Sequence, residues 1–184
     1  MSVPRYAKTL VLALIVSVGL AGFGAQATAA SEFTKKVKKT VIVYTSPQKT
    51  WDRTETDGGP AGGSAGDIVY FSGQYFPTLA EARSMKGPKK HFLQVMTRVS
   101  NGTIIDGENF WWMENSSFLV GGRIDYQGSF KMPNTPGSSP DARKHIFTIV
   151  GGTGEYFGAR GTVIHTKIGE GLEAIYKREF RLAK

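Results

Sequence analysis

The sequence predicts an all-β protein, a small antiparallel β-barrel of about eight strands in up-and-down order. Glycine is abundant, with 23 residues among 184, and aromatic residues make up 11% of the chain. Short stretches of alternating apolar and polar residues are separated by turn-forming pairs, whereas helical periodicity is almost absent. Closing such strands into a barrel removes exposed edges and leaves room inside for side chains or one small ligand.

The composition excludes several broad classes of protein. The chain contains no cysteine, which rules out a disulfide scaffold, a thiolate metal site and a cysteine nucleophile. Hydrophobic residues make up 40% and charged residues 21% of the chain, values typical of a globular protein rather than of a disordered one. The length favours a single domain.

Residues 1–30 have the pattern of a secretory signal peptide. Arg5 and Lys8 form a short basic region, an apolar run follows at residues 10–20, and small residues up to position 30 suit a signal peptidase. The apolar run is short for a membrane span, and a retained amino-terminal anchor is the alternative. Cleavage removes two of 23 basic residues and none of 15 acidic ones, so the secreted protein carries a net charge of +6.

The mature chain divides into two parts. Residues 31–66 form a basic leader, the first strand and a long loop, and residues 67–184 form the remainder of one barrel domain. Four lysines near position 36 are either a solvated leader or a patch for anionic glycans, lipid headgroups or nucleic acid. No aromatic residues interleave them as a stacking platform would require, so we expect a solvated leader and no nucleic-acid partner. No other segment is apolar over the length of a membrane span.

The first half of the barrel contains four predicted elements. Residues 40–44 are rich in β-branched side chains and predict a strand. Residues 50–66 are polar and rich in glycine, which predicts a long loop. Residues 67–76 form the next predicted strand, and residues 79–85 are the single convincing helical turn.

The second half is a series of strand candidates that are divided by turn-forming pairs. The first candidate, residues 91–99, leads into Asn101-Gly102, a pair typical of a tight hairpin turn. The further candidates are residues 103–105, 109–113, 118–126, 129–132, 146–150, 161–168 and 174–182. The predicted turns and loops between them are Asp106-Gly107, Asn115-Ser116, Gln127-Gly128 and residues 134–142.

The last predicted strand shows the clearest alternation. Tyr176, Phe180 and Leu182 fall on one face, and the charged residues at the odd positions of 177–181 fall on the other. One face of this strand is therefore expected to pack in the core while the other meets water.

A glycine-rich segment near the carboxyl terminus is the most specific motif of the chain. Residues 149–162 have the sequence Ile-Val-Gly-Gly-Thr-Gly-Glu-Tyr-Phe-Gly-Ala-Arg-Gly-Thr. Glycines at this spacing allow a tight strand–turn–strand connection and a close approach of backbones. A phosphate cradle is the alternative, but the Lys and Ser or Thr of a P-loop do not follow the glycines.

This segment resembles the Val-Gly-Gly-Thr-Gly-x-Phe-x-x-Ala-Arg-Gly signature of plant dirigent proteins. Residues 66–71 resemble the Gly-Asp-Leu-Val-x-Phe segment of allene oxide cyclases, and residues 126–130 resemble the strand before the glycine motif. The two families share one superfamily of small eight-stranded barrels. The resemblance covers about residues 66–182 and implies a lipocalin-like or dirigent-like barrel in a homo-oligomer, a dimer or a trimer.

The resemblance implies a function that depends on confinement. Dirigent proteins bind phenoxy radicals made by a separate oxidase and steer their coupling, whereas allene oxide cyclases hold an unstable epoxide in the conformer that closes. We therefore expect the barrel to bind a small hydrophobic or aromatic molecule and to steer its cyclisation or coupling without a cofactor or a metal. The alternatives are a lipocalin-like binding protein without chemistry and a secreted interaction protein that uses the basic leader. The cavity cysteine of the cyclases is absent, which argues against allene oxide cyclase activity itself.

Three residues are predicted to take part in catalysis. Arg160 matches the arginine of the dirigent signature, where it is thought to line the pocket, and Glu155 is a candidate general acid beside it. Asp67 opens the second predicted strand of the barrel. The structural alternatives are an ion pair of Arg160 with Glu155 and the capping of a turn by Asp67.

Three aromatic residues are predicted to bind the ligand. Tyr70, Trp112 and Tyr126 are candidate wall residues, and the tyrosines add a polar group. Because Trp111 and Trp112 are adjacent in a strand, they must face opposite sides, so one of them belongs to the core or the cavity wall. The three histidines lack the spacing of a metal site, and we expect His165 at the surface.

Overall fold

The computed structural model describes residues 37–58, 64–99, 109–132 and 144–183. Four features predicted from the sequence lie outside these residues: the signal peptide, most of the lysine leader, the Asn-Gly hairpin turn with the short strand after it, and the loop before the glycine-rich segment. The remaining predictions can be compared with the structure.

The described part of the chain consists mainly of strands, nine in all. In chain order they are β1 (Val37–Thr45), β2 (Asp52–Thr56), β3 (Ile68–Phe76), β4 (Lys90–Arg98), β5 (Asn109–Leu119), β6 (Gly122–Met132), β7 (Lys144–Gly154), β8 (Arg160–Ile168) and β9 (Ile175–Ala183).

Eight of these strands form a closed antiparallel barrel. From β3 to β9 each strand pairs with the next along the chain, and β1 lies between β9 and β3. The barrel closes where Tyr44 lies opposite Phe76 and Thr45 lies opposite Tyr75. The all-β class and the eight-stranded up-and-down barrel predicted from the sequence are confirmed.

The additional strand, β2, lies beside the first half of β3. Residues Asp52 to Thr56 pair with Ser72 back to Ile68, although the sequence predicts a loop throughout residues 50–66. All five residues of β2 are exposed, so the strand has no apolar face and no alternating pattern. The loop prediction is wrong for this stretch because backbone pairing along the free edge of β3, rather than burial, holds the strand in place.

Strands β5 and β6 are longer than the sequence predicts. The Asn-Ser pair at position 115 and the Gln-Gly pair at position 127 lie within one continuous ladder instead of in turns. The chain reverses at Gly121, where φ is 89°. The predicted strand at residues 118–126 is therefore wrong, since it contains this hairpin turn.

Alternate residues of each strand point into the barrel and build its core. On β9, Tyr176, Phe180 and Leu182 are buried, and the charged residues at the odd positions of 177–181 are partly exposed, as the alternation predicts. The interior of a barrel of this size has room for such side chains or for one small ligand. Other large side chains of the core are Tyr75, Phe92, Met113, Ile124, Tyr126, Phe147, Ile149 and Val163.

A short helix, α1 (Leu79–Ser84), covers part of the outer surface, and the predicted helical turn is confirmed. Thr78 caps it: its hydroxyl accepts the N–H of Glu81 at 3.3 Å, and the Glu81 carboxylate accepts the N–H of Thr78 at 3.0 Å. Ala82 is buried against Phe76 beside the closure of the barrel. Within the described residues no helix has the length and apolar character needed to cross a bilayer.

The glycine-rich segment forms the end of β7, the connection to β8 and the start of β8. Gly161 adopts a φ of 136°, and a Cβ at this position would overlap the carbonyl oxygen of Arg181 on β9. Gly151 differs, since a Cβ there would meet no atom within 4 Å. The two positions of one motif therefore differ in their need for glycine.

We predict that Gly161→Ala lowers the free energy of unfolding by about 2 kcal/mol or more, because β8 must move away from β9 and adopt a strained backbone. Urea unfolding followed by circular dichroism measures the change. Gly151→Ala is the matched control and should change the free energy of unfolding by less than about 0.5 kcal/mol. Equal destabilisation by the two substitutions would contradict the described packing of β8 on β9.

Candidate functional site

The barrel interior contains a group of buried polar side chains, which we call the arginine cluster. Arg178 on β9 lies at its centre, and only 1% of its surface is exposed. Six further polar residues meet it from β3, β4, β5, β6 and β8. They are Tyr75, Gln94, Asn115, Ser117, Tyr126 and His165, all of them buried.

The register of three strands aligns the basic residues of the interior. Arg178 lies between Tyr176 and Phe180 on the buried face of β9, so strand alternation directs its side chain inward. His165 lies opposite Arg178 across β8 and β9, and His145 lies opposite His165 across β7 and β8. Residues that are opposite each other in antiparallel strands share a face of the sheet. The three basic side chains therefore form a row across neighbouring strands.

Arg178 donates its hydrogen bonds to neutral acceptors. Its Nη1 donates to the hydroxyl oxygens of Tyr75 and Tyr126, the second at 2.7 Å. Its Nη2 donates to Oε1 of Gln94 at 3.0 Å. A guanidinium has no atom that can accept a hydrogen bond, so both phenol oxygens accept from it. Each phenol therefore keeps its own proton for another partner.

The proton of Tyr75 begins a closed ring of hydrogen bonds. The Tyr75 hydroxyl lies 2.8 Å from Oγ of Ser117. Ser117 donates its own proton to Oδ1 of Asn115 at 2.9 Å, so Tyr75 is the donor in the first contact. Nδ2 of Asn115 then donates to Oε1 of Gln94 at 3.4 Å. Because Gln94 also accepts from Arg178, the ring is complete and orients every member.

The hydroxyl of Tyr126 makes a second contact, with His165. The Tyr126 oxygen lies 2.9 Å from Nε2 of His165. Burial, and then the positive charges of Arg178 and His145, hold the pKa of His165 well below its usual value. The imidazole is therefore neutral, and its Nε2 and the Tyr126 hydroxyl share one hydrogen bond. The surface position predicted for His165 is wrong, since its strand turns this residue into the barrel.

The phenols of the cluster remain protonated at neutral pH. Burial raises the pKa of Tyr75 and strongly raises the pKa of Tyr126, and the charge of Arg178 only partly opposes this. Burial also raises the pKa of the neighbouring Tyr176 to about 12. The arginine cluster therefore combines one positive charge with neutral hydrogen-bonding groups.

Aromatic rings surround the guanidinium. Its central carbon lies 4.3 Å from the ring centre of Phe92 and 5.1 Å from that of Tyr75. Cation–π contacts of this kind contribute up to about 2 kcal/mol. Removing an ion from water costs several kcal/mol. The rings therefore form an apolar wall beside a charge that they compensate only in part.

Asp67, a predicted catalytic residue, precedes β3 at the end of the barrel opposite to the β7–β8 connection. Its carboxylate accepts the N–H of Ser64 at 2.7 Å and the N–H of Gly58 at 3.4 Å, and Nε of Arg98 lies 3.7 Å away. Burial acts to raise the pKa of Asp67, but these hydrogen bonds and the charge of Arg98 outweigh it and lower the pKa. This geometry organises the turn before β3, and a catalytic role for Asp67 stays a prediction.

Glu155 lies in the β7–β8 connection and Arg160 is the first residue of β8, and both are exposed. The guanidinium of Arg160 donates to the carbonyl oxygens of Val150 at 2.9 Å and Ala159 at 2.8 Å. The N–H of Glu155 donates to the carbonyl of Gly121 at 2.8 Å and joins two neighbouring turns. The structure thus brings Arg160 and Glu155 to the same end of the barrel, and their catalytic roles stay predictions.

The three predicted ligand-binding residues lie on different faces. Tyr126 is a member of the arginine cluster. Tyr70 is 45% exposed on the outer face of β3. Trp112 lies on the outer face of β5, where its indole N–H donates to Glu114 at 3.2 Å, while the adjacent Trp111 is buried. The ligand-binding roles of these residues stay predictions.

The sequence analysis missed Arg178 and the polar residues around it. A signal for Arg178 was present, because it lies between Tyr176 and Phe180 on the same face of the strand, which the sequence predicts to be buried. Asn115 and Ser117 have the polarity of a turn, yet they point from β5 into the barrel. No local signal in the sequence indicated that Gln94 lies in this cluster or which strands pair with β4.

The cluster is suited to stabilise negative charge on a bound molecule. Oriented donors in a low-dielectric interior stabilise charge that develops on an oxygen by about 3 kcal/mol per donor. The neutral His165 and the protonated phenols supply no charged base. Among the described residues, no three His, Asp or Glu side chains lie close enough together to hold a metal ion.

We predict that the stability of the protein falls as the pH is lowered from 7 to 5. The pKa of His165 is depressed in the folded state by burial and by its cationic neighbours, so the unfolded chain binds a proton that the folded chain does not. The resulting slope approaches at most about 1.4 kcal/mol per pH unit below the pKa of a free histidine. Urea unfolding at several pH values measures this slope.

His165→Gln retains an acceptor for Tyr126 but cannot take up a proton, so it should reduce the slope. His91→Gln, at an exposed position of β4, is the control and should leave the slope as it is. An unchanged slope in the His165→Gln variant would show that the buried imidazole does not cause the pH dependence.

Comparison with known proteins finds solved structures that share the fold of this chain. No protein-family model and no curated protein sequence matches it. Pyocyanin demethylase is 18% identical, with 79% of this chain and 100% of that chain covered at a TM-score of 0.54. A pterocarpan synthase dirigent protein is 14% identical, with coverages of 80% and 88% and a TM-score of 0.59.

A cyclase gives a similar result. The Diels–Alderase AbmU from Streptomyces koyangensis is 12% identical, with 86% of this chain and 70% of that chain covered at a TM-score of 0.59. At such low identities a likeness establishes the fold and not the activity. The barrel expected from the glycine-rich segment is thereby confirmed, and the chain has the fold of the dirigent and cyclase barrels.

Proposed function

We propose that the chain is an exported barrel that binds a small aromatic or apolar molecule in its interior and steers the cyclisation or coupling of that molecule. The observation that carries the proposal is the arginine cluster, a buried cation with oriented neutral partners beside aromatic rings. A hydrophobic side chain of similar volume would fill a core at lower cost than a buried cation. Apolar walls with a few oriented polar groups are typical of small-molecule sites.

The proposed mechanism is confinement with electrostatic assistance. The hydrogen-bond ring holds Arg178 and Tyr75 in place before a ligand binds, which lowers the entropic cost of reaching a reactive geometry. The rings of Phe92 and Phe147 exclude water from the reacting molecule. Arg178 stabilises negative charge that develops on a ligand oxygen while a ring closes or a bond forms.

The names of similar structures support this class of function. One is a pterocarpan synthase of the dirigent type and another is a Diels–Alderase. The predicted catalytic residues Arg160, Glu155 and Asp67 lie at the two ends of the barrel, so the proposal gives the central role to Arg178. The predicted signal peptide supports a place of action outside the cytoplasm.

We predict that the purified protein binds N-phenyl-1-naphthylamine, a neutral aromatic probe that becomes fluorescent in apolar surroundings. Phe147 packs in the interior against Tyr126 with ring centres 6.0 Å apart, so Phe147→Leu should weaken probe binding several-fold. Phe118→Leu, at an outward-facing position of β5 that is 38% exposed, is the matched control and should leave probe binding unchanged. A protein of verified fold that binds no probe would overturn the proposal.

Steering is tested separately from binding. A 4-hydroxycinnamyl alcohol is oxidised by a one-electron oxidant with and without the protein, and the coupled products are separated by chiral chromatography. The proposal expects an excess of one enantiomer or one regioisomer when the protein is present. Probe binding with an unchanged product ratio, for this substrate and for a tethered diene–dienophile, would overturn steering and support a carrier of the lipocalin type.

A further inference from the structure

Within the described residues the charge of Arg178 has no acidic partner, unlike the charges of two other inward-facing cations. Lys167 on β8 pairs with Glu170 at 2.9 Å, and Arg98 on β4 lies 3.7 Å from Asp67. Arg178 contacts two phenols and one amide instead. Among the described residues Asp67 is the one buried acid, and Ser64, Gly58 and Arg98 already engage it. The middle of the barrel therefore keeps one positive charge without a counter-ion.

One nitrogen of this guanidinium makes no hydrogen bond to the described residues. Nη1 and Nη2 make the three hydrogen bonds of Arg178, whereas Nε is buried and has no hydrogen-bond partner. The guanidinium carbon lies over the rings of Phe92 and Tyr75, which contribute cation–π attraction but no oxygen or nitrogen acceptor for the Nε–H. Leaving a buried charged donor unsatisfied is costly. A ligand with an acceptor oxygen would remove this cost and neutralise the charge at the same time.

We propose that the ligand of this barrel is an aromatic or conjugated monoanion, a carboxylate or phenolate, whose charged oxygen accepts the Nε–H of Arg178. This inference rests on the proposed function, since it names the chemical class of the molecule that the interior binds. The rings of Phe92, Tyr126 and Phe147 are suited to pack against its flat, apolar part.

The number of charges in the cluster selects a monoanion. His165 is held neutral by burial and by the adjacent guanidinium, and its Nε2 is already engaged by the Tyr126 hydroxyl. A phosphate monoester would bring two negative charges against the single charge of Arg178, and the second would be buried without a partner. A neutral ligand would leave the arginine charge uncompensated. One carboxylate or one phenolate matches the charge of the site.

The first experiment compares two ligands of nearly equal size and shape. 2-Naphthoate and 2-naphthamide are titrated against the protein by calorimetry, and each is also used to displace N-phenyl-1-naphthylamine. We expect 2-naphthoate to bind at least about tenfold more tightly than the neutral amide. Equal affinities, or tighter binding of the amide, would overturn the anionic class while leaving interior binding intact. Binding of neither naphthalene nor of the probe would overturn the proposed function itself.

Variants locate the preference at Arg178. Arg178→Met should remove most of the preference for 2-naphthoate and retain the affinity for 2-naphthamide. Arg181→Met is the matched control, because Arg181 lies on the same strand but is partly exposed and pairs with Glu179 at 2.7 Å. It should keep the full preference. A preference that survives in Arg178→Met, or that is lost equally in the control, would overturn the assignment to Arg178.

A spectroscopic measurement on the unmodified protein keeps the inference testable even if Arg178→Met does not fold. 4-Nitrophenol is yellow only as the phenolate, so its visible absorbance reports how much of the bound phenol is ionised. A buried cation should lower the pKa of the bound phenol by about one unit or more. A bound phenol with a raised pKa, as burial in an apolar cavity alone would cause, would overturn the proposal.

Discussion

The burial of Arg178 is the constraint on which the interior of this barrel depends. A guanidinium that leaves water must find hydrogen-bond acceptors, and this one finds them on Tyr75, Tyr126 and Gln94. These residues come from three strands that are distant from β9 in the chain. Tyr75 also lies opposite Thr45 where β1 and β3 close the barrel. Closure of the sheet and accommodation of the charge therefore stabilise each other.

The cluster combines rigidity with an incomplete balance of charge. Its hydrogen-bond ring gives Tyr75, Ser117, Asn115 and Gln94 one arrangement each, which is the condition for a site that is organised before a ligand arrives. Arg178 holds this ring together but receives no negative charge from it. A protein optimised only for stability would replace such a cation by an apolar side chain. The remaining charge is the basis of the proposal that the barrel binds an anionic molecule.

Local sequence patterns predicted the elements whose two faces differ in polarity. Strand β9 was predicted for this reason, because burial on one face leaves a visible period. The exposed strand β2 has no such period and was missed. Asn115, in the predicted Asn115-Ser116 turn, misled the prediction for β5, since a polar residue is as typical of a turn as of a buried polar cluster. Of the predicted site residues, only Tyr126 lies in the arginine cluster.

The sequence by itself determined the all-β class, the small barrel and the glycine-rich connection, because each of these rests on residues that are close together in the chain. Gly161 can be recognised from its motif before any contact is known. Only the tertiary structure decided that Arg178, Tyr75 and Gln94 meet, since they are separated by up to 103 residues in the hydrogen bonds they form. Register and closure of the sheet bring these side chains onto one inner face. No local pattern of the sequence indicates a contact between residues so far apart in the chain.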